Sequence, residues 1–419
     1  MNRLYTRFSV RRRIAAGCSV LAALAILAGC ASGGGGGSGT HSHSDTCPLD
    51  PGPSSPIPPP AVPADNPVTP AKAELGRHLF YDVRLSGNGT TACATCHRQE
   101  LAFTDGLPVS VGSTGQLHPR NAQSLANAAY NSALTWANSL LVTLEQQAAV
   151  PLFGEFPVEQ GITDANKETV LDRFRTDAAY PALFQAAFPG DPNPVQLGNV
   201  IKALATFGRQ LISFDSPYDH YVYGGQADAM SPAAVRGMSL FFSETLECNH
   251  CHGGPTFNSN FVSSLTAHVE QEFANTGLYN VDGMGAYPET NPGLYQQTGN
   301  PQDMGKFRPP TLRNVEYTAP YTHDGTVATL EDMIDIYAAG GRVIASGPNA
   351  GDGRANPFKN GLITGFSITP EQKSDLIAFL KSLSDPGFLT NPAISDPFQP
   401  APAVGVSLDR SPTHDVTCP

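Results

Sequence analysis

Apolar side chains recur with a helical period through much of the chain between residues 70 and 385. Leu197, Val200, Ile201, Leu204, Phe207 and Leu211 keep to one face over four turns, the spacing of an amphipathic helix. Thr369-Pro370-Glu371-Gln372 opens another, with Leu376, Phe379, Leu380 and Leu383 along one side. A hydroxyl cap, a proline in the first turn and a glutamine three residues on are start signals. Thr329 and Asp332 start a third, and Gly340-Gly341 ends it. Ser231-Pro232 marks a further start. No run alternates polar and apolar residues for long, so the pattern predicts an all-α protein with few short strands. Residues 253–316 are rich in Gly, Asn and Pro and predict a long loop, a feature that in a compact domain usually carries function.

The helical pattern repeats. Gly76-x-x-Leu79-Phe80 precedes Cys93, and Gly237-x-x-Leu240-Phe241 precedes Cys248. The chain therefore divides into a unit over residues 70–226 and a second over 227–385. Ahead of them, Arg3, Arg7 and Arg11 to Arg13 lead into a short apolar run, Ile14 to Leu27, that ends in Leu27-Ala28-Gly29-Cys30. Residues 1–29 have the form of a lipoprotein signal peptide, with Cys30 the lipidated residue and no spanning helix. Ordinary secretion with cleavage nearby is the alternative. Residues 30–69, rich in Gly, Ser and Pro, predict a flexible tether. Its His41 and His43 carry no expected role. Residues 386–419 form a Pro-rich tail expected to wrap the surface.

Charge narrows the partners. Residues 1–29 hold five arginines and no acids, so without them 20 basic side chains face 37 acidic ones, a net charge of −17. Nucleic-acid binding needs basic surface and is excluded as a function class. Of eight cysteines, Cys18 and Cys30 belong to the leader. Cys47 and Cys418 are left near the two ends, either joined as a disulfide in an oxidising compartment or free.

The remaining four lie in Cys93-Ala94-Thr95-Cys96-His97 and Cys248-Asn249-His250-Cys251-His252. In such pentapeptides the thiols add to the haem vinyls and the histidine ligates iron from below. One copy could be chance or part of a zinc knuckle. Two copies, each after a similar helix and without further cysteines at zinc-like spacing, point to two covalently bound c-type haems. An iron with one protein ligand can bind peroxide; an iron with two transfers electrons.

Residues 70–385 resemble the di-haem cytochrome c peroxidase and MauG superfamily. Three stretches carry the likeness: Leu75-Gly76-Arg77-His78-Leu79-Phe80-Tyr81-Asp82 through Cys93 to Phe103-Thr104-Asp105; Arg120 to Asn127 with Trp136 and Leu144-Glu145-Gln146-Gln147-Ala148; and Pro310-Thr311-Leu312-Arg313-Asn314-Val315 with Thr318-Ala319-Pro320-Tyr321-Thr322-His323-Asp324-Gly325. The resemblance implies two cytochrome c domains whose haems face a shared interface. Within the superfamily the chain looks more similar to the MauG- and MbnH-like enzymes than to peroxidases that oxidise cytochrome c. Fourteen residues after His323, where those peroxidases place a ligating methionine, stands Tyr337. A phenolate favours the higher oxidation states of iron. Met333, one helical turn earlier on the same face, is the rival ligand.

The resemblance also implies that peroxide binds the haem of His97. Glu159 would assist O–O cleavage, with Glu155 the fallback, and Gln147 and Pro151 match other positions of that pocket. Where some peroxidases place a histidine that closes this iron at rest, the register reaches Ser113, and His118 is expected to be structural. Trp136, the single tryptophan, would relay charge between the haems. Asn121 and the carbonyls of Thr318 and Pro320 match a calcium site. Leu246 replaces the surface tryptophan that MauG uses to reach its substrate, so that route differs here. The implied function is use of hydrogen peroxide to form a high-valent di-haem state that oxidises a side chain, a tryptophan by likeness to MbnH, of a periplasmic partner protein. The alternatives are a peroxidase drawing electrons from a small cytochrome and a non-enzymatic electron carrier.

Overall fold

The computed structural model describes residues 56–399. The signal segment, Cys30, His41, His43, Cys47 and Cys418 lie outside the described residues, and with them the expected anchor and disulfide.

The described chain is helical. In order it contains α1 (Pro70–Tyr81), α2 (Cys93–Cys96), α3 (Leu144–Phe153), α4 (Lys167–Arg175), α5 (Tyr180–Ala187), α6 (Leu197–Gly208), α7 (Pro217–Val222), α8 (Pro232–Phe241), α9 (Cys248–Cys251), α10 (Tyr295–Thr298), α11 (Leu330–Ala338), α12 (Pro370–Lys381) and α13 (Pro386–Thr390). Two two-residue strands, β1 (Val343–Ile344) and β2 (Gly351–Asp352), pair antiparallel. The all-α expectation with few short strands holds. None of the described helices is long and apolar enough to cross a membrane.

The expected caps are made. The hydroxyls of Ser231, Thr329 and Thr369 accept the N–H groups of Ala234, Asp332 and Gln372, which satisfies donors that the first helical turn leaves free. Thr143 and Gln146 form a reciprocal box at the start of α3. Helix α6 stops at Gly208, before the end of its apolar pattern, yet Leu211 is still buried.

The repeated glycine has a physical cause. A Cβ on Gly76 would stand 2.0 Å from the Ala203 carbonyl oxygen, and one on Gly237 would stand 1.9 Å from that of Asp375. Both glycines let two helix backbones touch, α1 against α6 and α8 against α12. Each crossing heads its own core. Leu75, Leu79, Phe174, Phe184 and Phe207 fill the first; Phe241, Phe257, Leu376 and Phe379 fill the second. A third cluster of Trp136, Leu278, Tyr279, Tyr287 and Phe307 is drawn from the middle of the chain and the long loop.

Parts of the segments expected to form a flexible tether and a surface-wrapping tail are built into the cores. Ile57 packs with Tyr130 and Phe214. Asn66, fully buried, donates to Glu145 Oε1 at 2.7 Å. At the other end Phe388, Leu389 and Ile394 enter the first core. Gln99 donates to the carbonyls of Phe388 and Asn391, and the Tyr81 hydroxyl to that of Ile394. Three apolar side chains among the prolines suffice to dock residues 386–395, where composition alone suggests a surface strap.

Candidate active site: two cavities with one shared wall

Each Cys-x-x-Cys segment folds as a single turn, α2 and α9, and the following histidine leaves it in non-helical backbone. His97 Nδ1 lies 2.7 Å from the Phe103 carbonyl oxygen; His252 Nδ1 lies 3.2 Å from that of Phe257. Nδ1–H donates to the carbonyl, which orients the ring and leaves Nε2 as the metal-binding nitrogen. Burial pushes both imidazoles toward the neutral form that a metal requires. Phe103 (φ 62°) and Phe257 (φ 52°) both occupy left-handed backbone and are almost fully buried. Bulky residues rarely adopt that conformation, so the strain is used twice to aim a carbonyl at a histidine.

The first cavity, about 380 Å³, is walled by Cys93, Cys96 and His97 on one side and by Gln147, Pro151 and Glu159 among others. Helix α3 carries Gln147 and Pro151, and the loop after it carries Glu159. All three candidate residues therefore meet at the space above His97. Glu155 is exposed and absent from this wall. Ser113 is also outside it, whereas His118 is within it. His118 Nε2 is 3.6 Å from Glu159 Oε1, and its Nδ1 is 3.1 Å from both the N–H and the carbonyl oxygen of Arg120. The structural role expected for His118 is thus too narrow: the ring faces the carboxylate.

The second cavity, about 220 Å³, is walled by Cys248, Cys251, His252, Met333 and Tyr337. Tyr337 and Met333 both reach it from α11, one turn apart. Burial pushes the Tyr337 phenol pKa up, so a phenolate there requires a cation beside it. The long loop supplies Ala274, Leu278 and Phe307 to Leu312, and so covers this cavity. Leu246 is buried in the same wall.

Asn121 to Ser124, Asn131, Trp136 and Arg308 belong to the walls of both cavities. Trp136 is buried there and donates Nε1–H to the Asn121 carbonyl at 2.9 Å. The Asn121 side chain donates to the Leu107 carbonyl at 2.7 Å, which leaves its Oδ1 to act as an acceptor. Asn121, Thr318 and Pro320 line the second cavity together.

A family model described as di-haem cytochrome c peroxidase matches residues 70–227. A cytochrome-c peroxidase, IdrP1, of Denitromonas iodatirespirans is 36% identical over 361 residues, covering 82% of this chain and 88% of its own. The chain belongs to the di-haem cytochrome c peroxidase and MauG family. The methylamine utilization protein MauG of Methylorubrum extorquens is 30% identical over 345 residues, 79% of this chain and 84% of its own. The crystal structure of a MauG-like protein associated with microbial copper homeostasis shares 54% identity, with a TM-score of 0.80, and covers 82% of this chain and 97% of that one.

Membership makes the protein a haem peroxidase-type oxidoreductase with two c-type haems and hydrogen peroxide as substrate. The residues fit the cofactor. Each cavity has two cysteines and a correctly oriented histidine at its floor. Gln147 Oε1 and His323 Nε2, buried without a hydrogen-bond partner among the described residues, line the first and second cavities respectively.

Sequence reasoning missed a second repeat. Ser124-Leu125-Ala126-Asn127 and Thr311-Leu312-Arg313-Asn314 both end in an asparagine at φ near 60°, each capping a short turn. Asn127 donates to the Ser213 carbonyl and Asn314 to its hydroxyl, so the two halves meet on one residue. The pattern Ser/Thr-Leu-x-Asn was the available signal. His323 was read only as part of a motif; it stacks on Phe307 with centroids 3.7 Å apart, and burial pushes its pKa down to about 4.

Proposed function

We propose that this enzyme uses hydrogen peroxide to oxidise a tryptophan side chain of a small metal-binding partner protein in the periplasm. The observation that carries this reading is the position of Trp136 in the wall common to both cavities, with Tyr337 on the far one. When bound, the haems supply cleavage of the peroxide O–O bond and storage of the two oxidising equivalents.

The chain's own residues do the rest. Glu159 holds a carboxylate above His97, where it takes the proton from one peroxide oxygen and returns it to the other. His118, through Nε2, keeps that carboxylate in place. Its Nδ1 faces both an N–H and a carbonyl of Arg120, which holds the ring against the carboxylate. Gln147 offers a free Oε1 to the same space. Trp136 connects the two sites; its Nε1–H is held by the Asn121 carbonyl, which fixes the indole plane. Tyr337 and His252 would hold the second iron, where an anionic phenolate would favour the oxidised metal. Calcium bound by Asn121 Oδ1 and the Thr318 and Pro320 carbonyls would brace the shared wall. Lipid on Cys30 would keep the enzyme at a membrane surface.

The link of the 54%-identical MauG-like protein to copper homeostasis supports a metal-binding partner, and buried Leu246 supports an exit for oxidising equivalents different from MauG's. Incubating the holoenzyme with peroxide and a metal-binding protein encoded beside it tests the reading. Peptide mapping should find oxidised tryptophan on the partner; peroxide consumption with the partner unmodified rejects it. Met333 on the second cavity favours a second reading, a peroxidase fed by a small reduced cytochrome, which predicts fast oxidation of such a cytochrome instead.

A further inference from the structure

The described residues pair their buried arginines with carboxylates in several places. Arg313 meets Asp219 at 2.6 Å, and Arg209 meets Glu145 at 2.8 Å. The wall shared by the two cavities holds a fully buried arginine without such a partner. Arg308 is 3% exposed, yet its guanidinium donates only to neutral oxygens: the Thr135 carbonyl at 3.2 Å, the Pro309 carbonyl at 3.3 Å and Gln123 Oε1. Arg120, only half-buried on the first cavity, donates to Asn291 Oδ1 and Gln296 Oε1, each at 2.8 Å, and lies over the Phe307 ring. Neither has a carboxylate within ion-pair distance among the described residues.

Burying a guanidinium without an anion costs several kcal/mol. The chain has 37 acidic residues against 25 basic ones, so a carboxylate could readily have been placed here. None was, although Arg308 lies on both cavities and Arg120 on the first. Burial alone pulls the Arg308 guanidinium pKa down to about 10.

We propose that Arg308 and Arg120 bind the carboxylate side chains of the porphyrins, Arg308 at the edge the two haems share and Arg120 at the first haem alone. The inference rests on the family's two haems and not on the partner chemistry proposed above. It also accounts for a cation next to a residue that must lose an electron. The Arg308 backbone N–H donates to the Trp136 carbonyl at 2.7 Å, and its guanidinium donates to the neighbouring Thr135 carbonyl at 3.2 Å. A bare cation there would oppose oxidation of the indole, and an Arg–carboxylate pair is neutral.

The test is a redox titration of the holoprotein, followed by haem absorbance, in Arg308→Gln, Arg308→Lys and Arg120→Gln. It needs neither peroxide nor a partner, so its failure is separable from failure of the proposed function. Removing a cation near iron favours the ferric form. Arg308→Gln should move both midpoint potentials negative and make them more pH-dependent, because the released carboxylate takes up a proton on reduction. Arg308→Lys should restore most of the shift, and Arg120→Gln should move the His97 haem only. Parent potentials and pH dependence in folded, fully loaded Arg308→Gln overturn the proposal and leave Arg308 a brace for Thr135 and Gln123. If Arg308→Gln does not load haem, Arg120→Gln decides: an unshifted first potential overturns the proposal, and a shift confined to that haem supports it.

Discussion

Gly237→Ala is the smallest change that probes the repeated crossing. The new methyl would lie 1.9 Å from the Asp375 oxygen, 2.5 Å from its carbonyl carbon and 2.9 Å from the Leu376 nitrogen, all backbone of α12. Ordinary contact begins near 3.4 Å, so the two helices must part by about 1.5 Å, since no side chain can rotate away. Gaps of that size forfeit a quarter to a half or more of each dispersion contact they open, and Phe241, Leu376 and Phe379 pack across this interface. Overpacking of this kind costs about 3 kcal/mol, while alanine returns about 1 kcal/mol in helix propensity. A net loss of about 2 kcal/mol lowers Tm by about 4–8 °C. Gly76→Ala, 2.0 Å from the Ala203 oxygen, should behave alike in the first unit. Gly198 in α6 has nothing within 4 Å, and Gly198→Ala should be neutral or stabilising. Calorimetry of the three variants is the assay. Parent-like melting of Gly237→Ala and Gly76→Ala would refute the close-crossing account.

Glu159→Gln should slow the peroxide reaction by about 10²–10⁴-fold without changing haem content; stopped-flow mixing measures it. In the Glu145 carboxyl, burial raises the pKa, but hydrogen bonds from Arg209 and Asn66 outweigh it and hold it below its ordinary 4.5. That stabilisation is present above pH 4.5 and disappears as pH falls through the lowered value. Glu145→Gln, which leaves Arg209 buried without its anion, should cost about 3 kcal/mol at neutral pH, and its melting curve should converge on the parent's in acid. A calcium chelator should slow the peroxide-dependent spectral change of the second haem, and calcium should restore it; an unchanged response would remove the ion from the shared wall.

Much of this molecule was legible because its signals are local. Capped starts at Ser231, Thr329 and Thr369 announce α8, α11 and α12, and the Cys-x-x-Cys-His motifs carry their own chemistry. Helices α4 and α5 were not individually visible, since Asn166 and Ala179 at their starts make no side-chain cap. Docking of Phe388, Leu389 and Ile394 was hidden by the surrounding prolines, because burial there depends on a core built from residues between Leu75 and Leu211. His118 and Arg308 were illegible for the same reason. A histidine beside a proline and a lone arginine in a loop carry no sign of what the fold will bring to them. Trp136 and Glu159 were found through the family's motifs; only the three-dimensional arrangement brings one to a wall between two cavities and the other above a histidine.

Whether the second haem is held by Tyr337 is the question on which the account turns. The direct measurement is the absorption and electron paramagnetic resonance spectrum of the ferric protein, before and after peroxide, in Tyr337→Phe and Met333→Leu. The account predicts that Tyr337→Phe changes the resting signal of the second haem and abolishes the long-lived oxidised state, while Met333→Leu preserves both. The reverse pattern, with Met333→Leu disruptive and Tyr337→Phe silent, contradicts it.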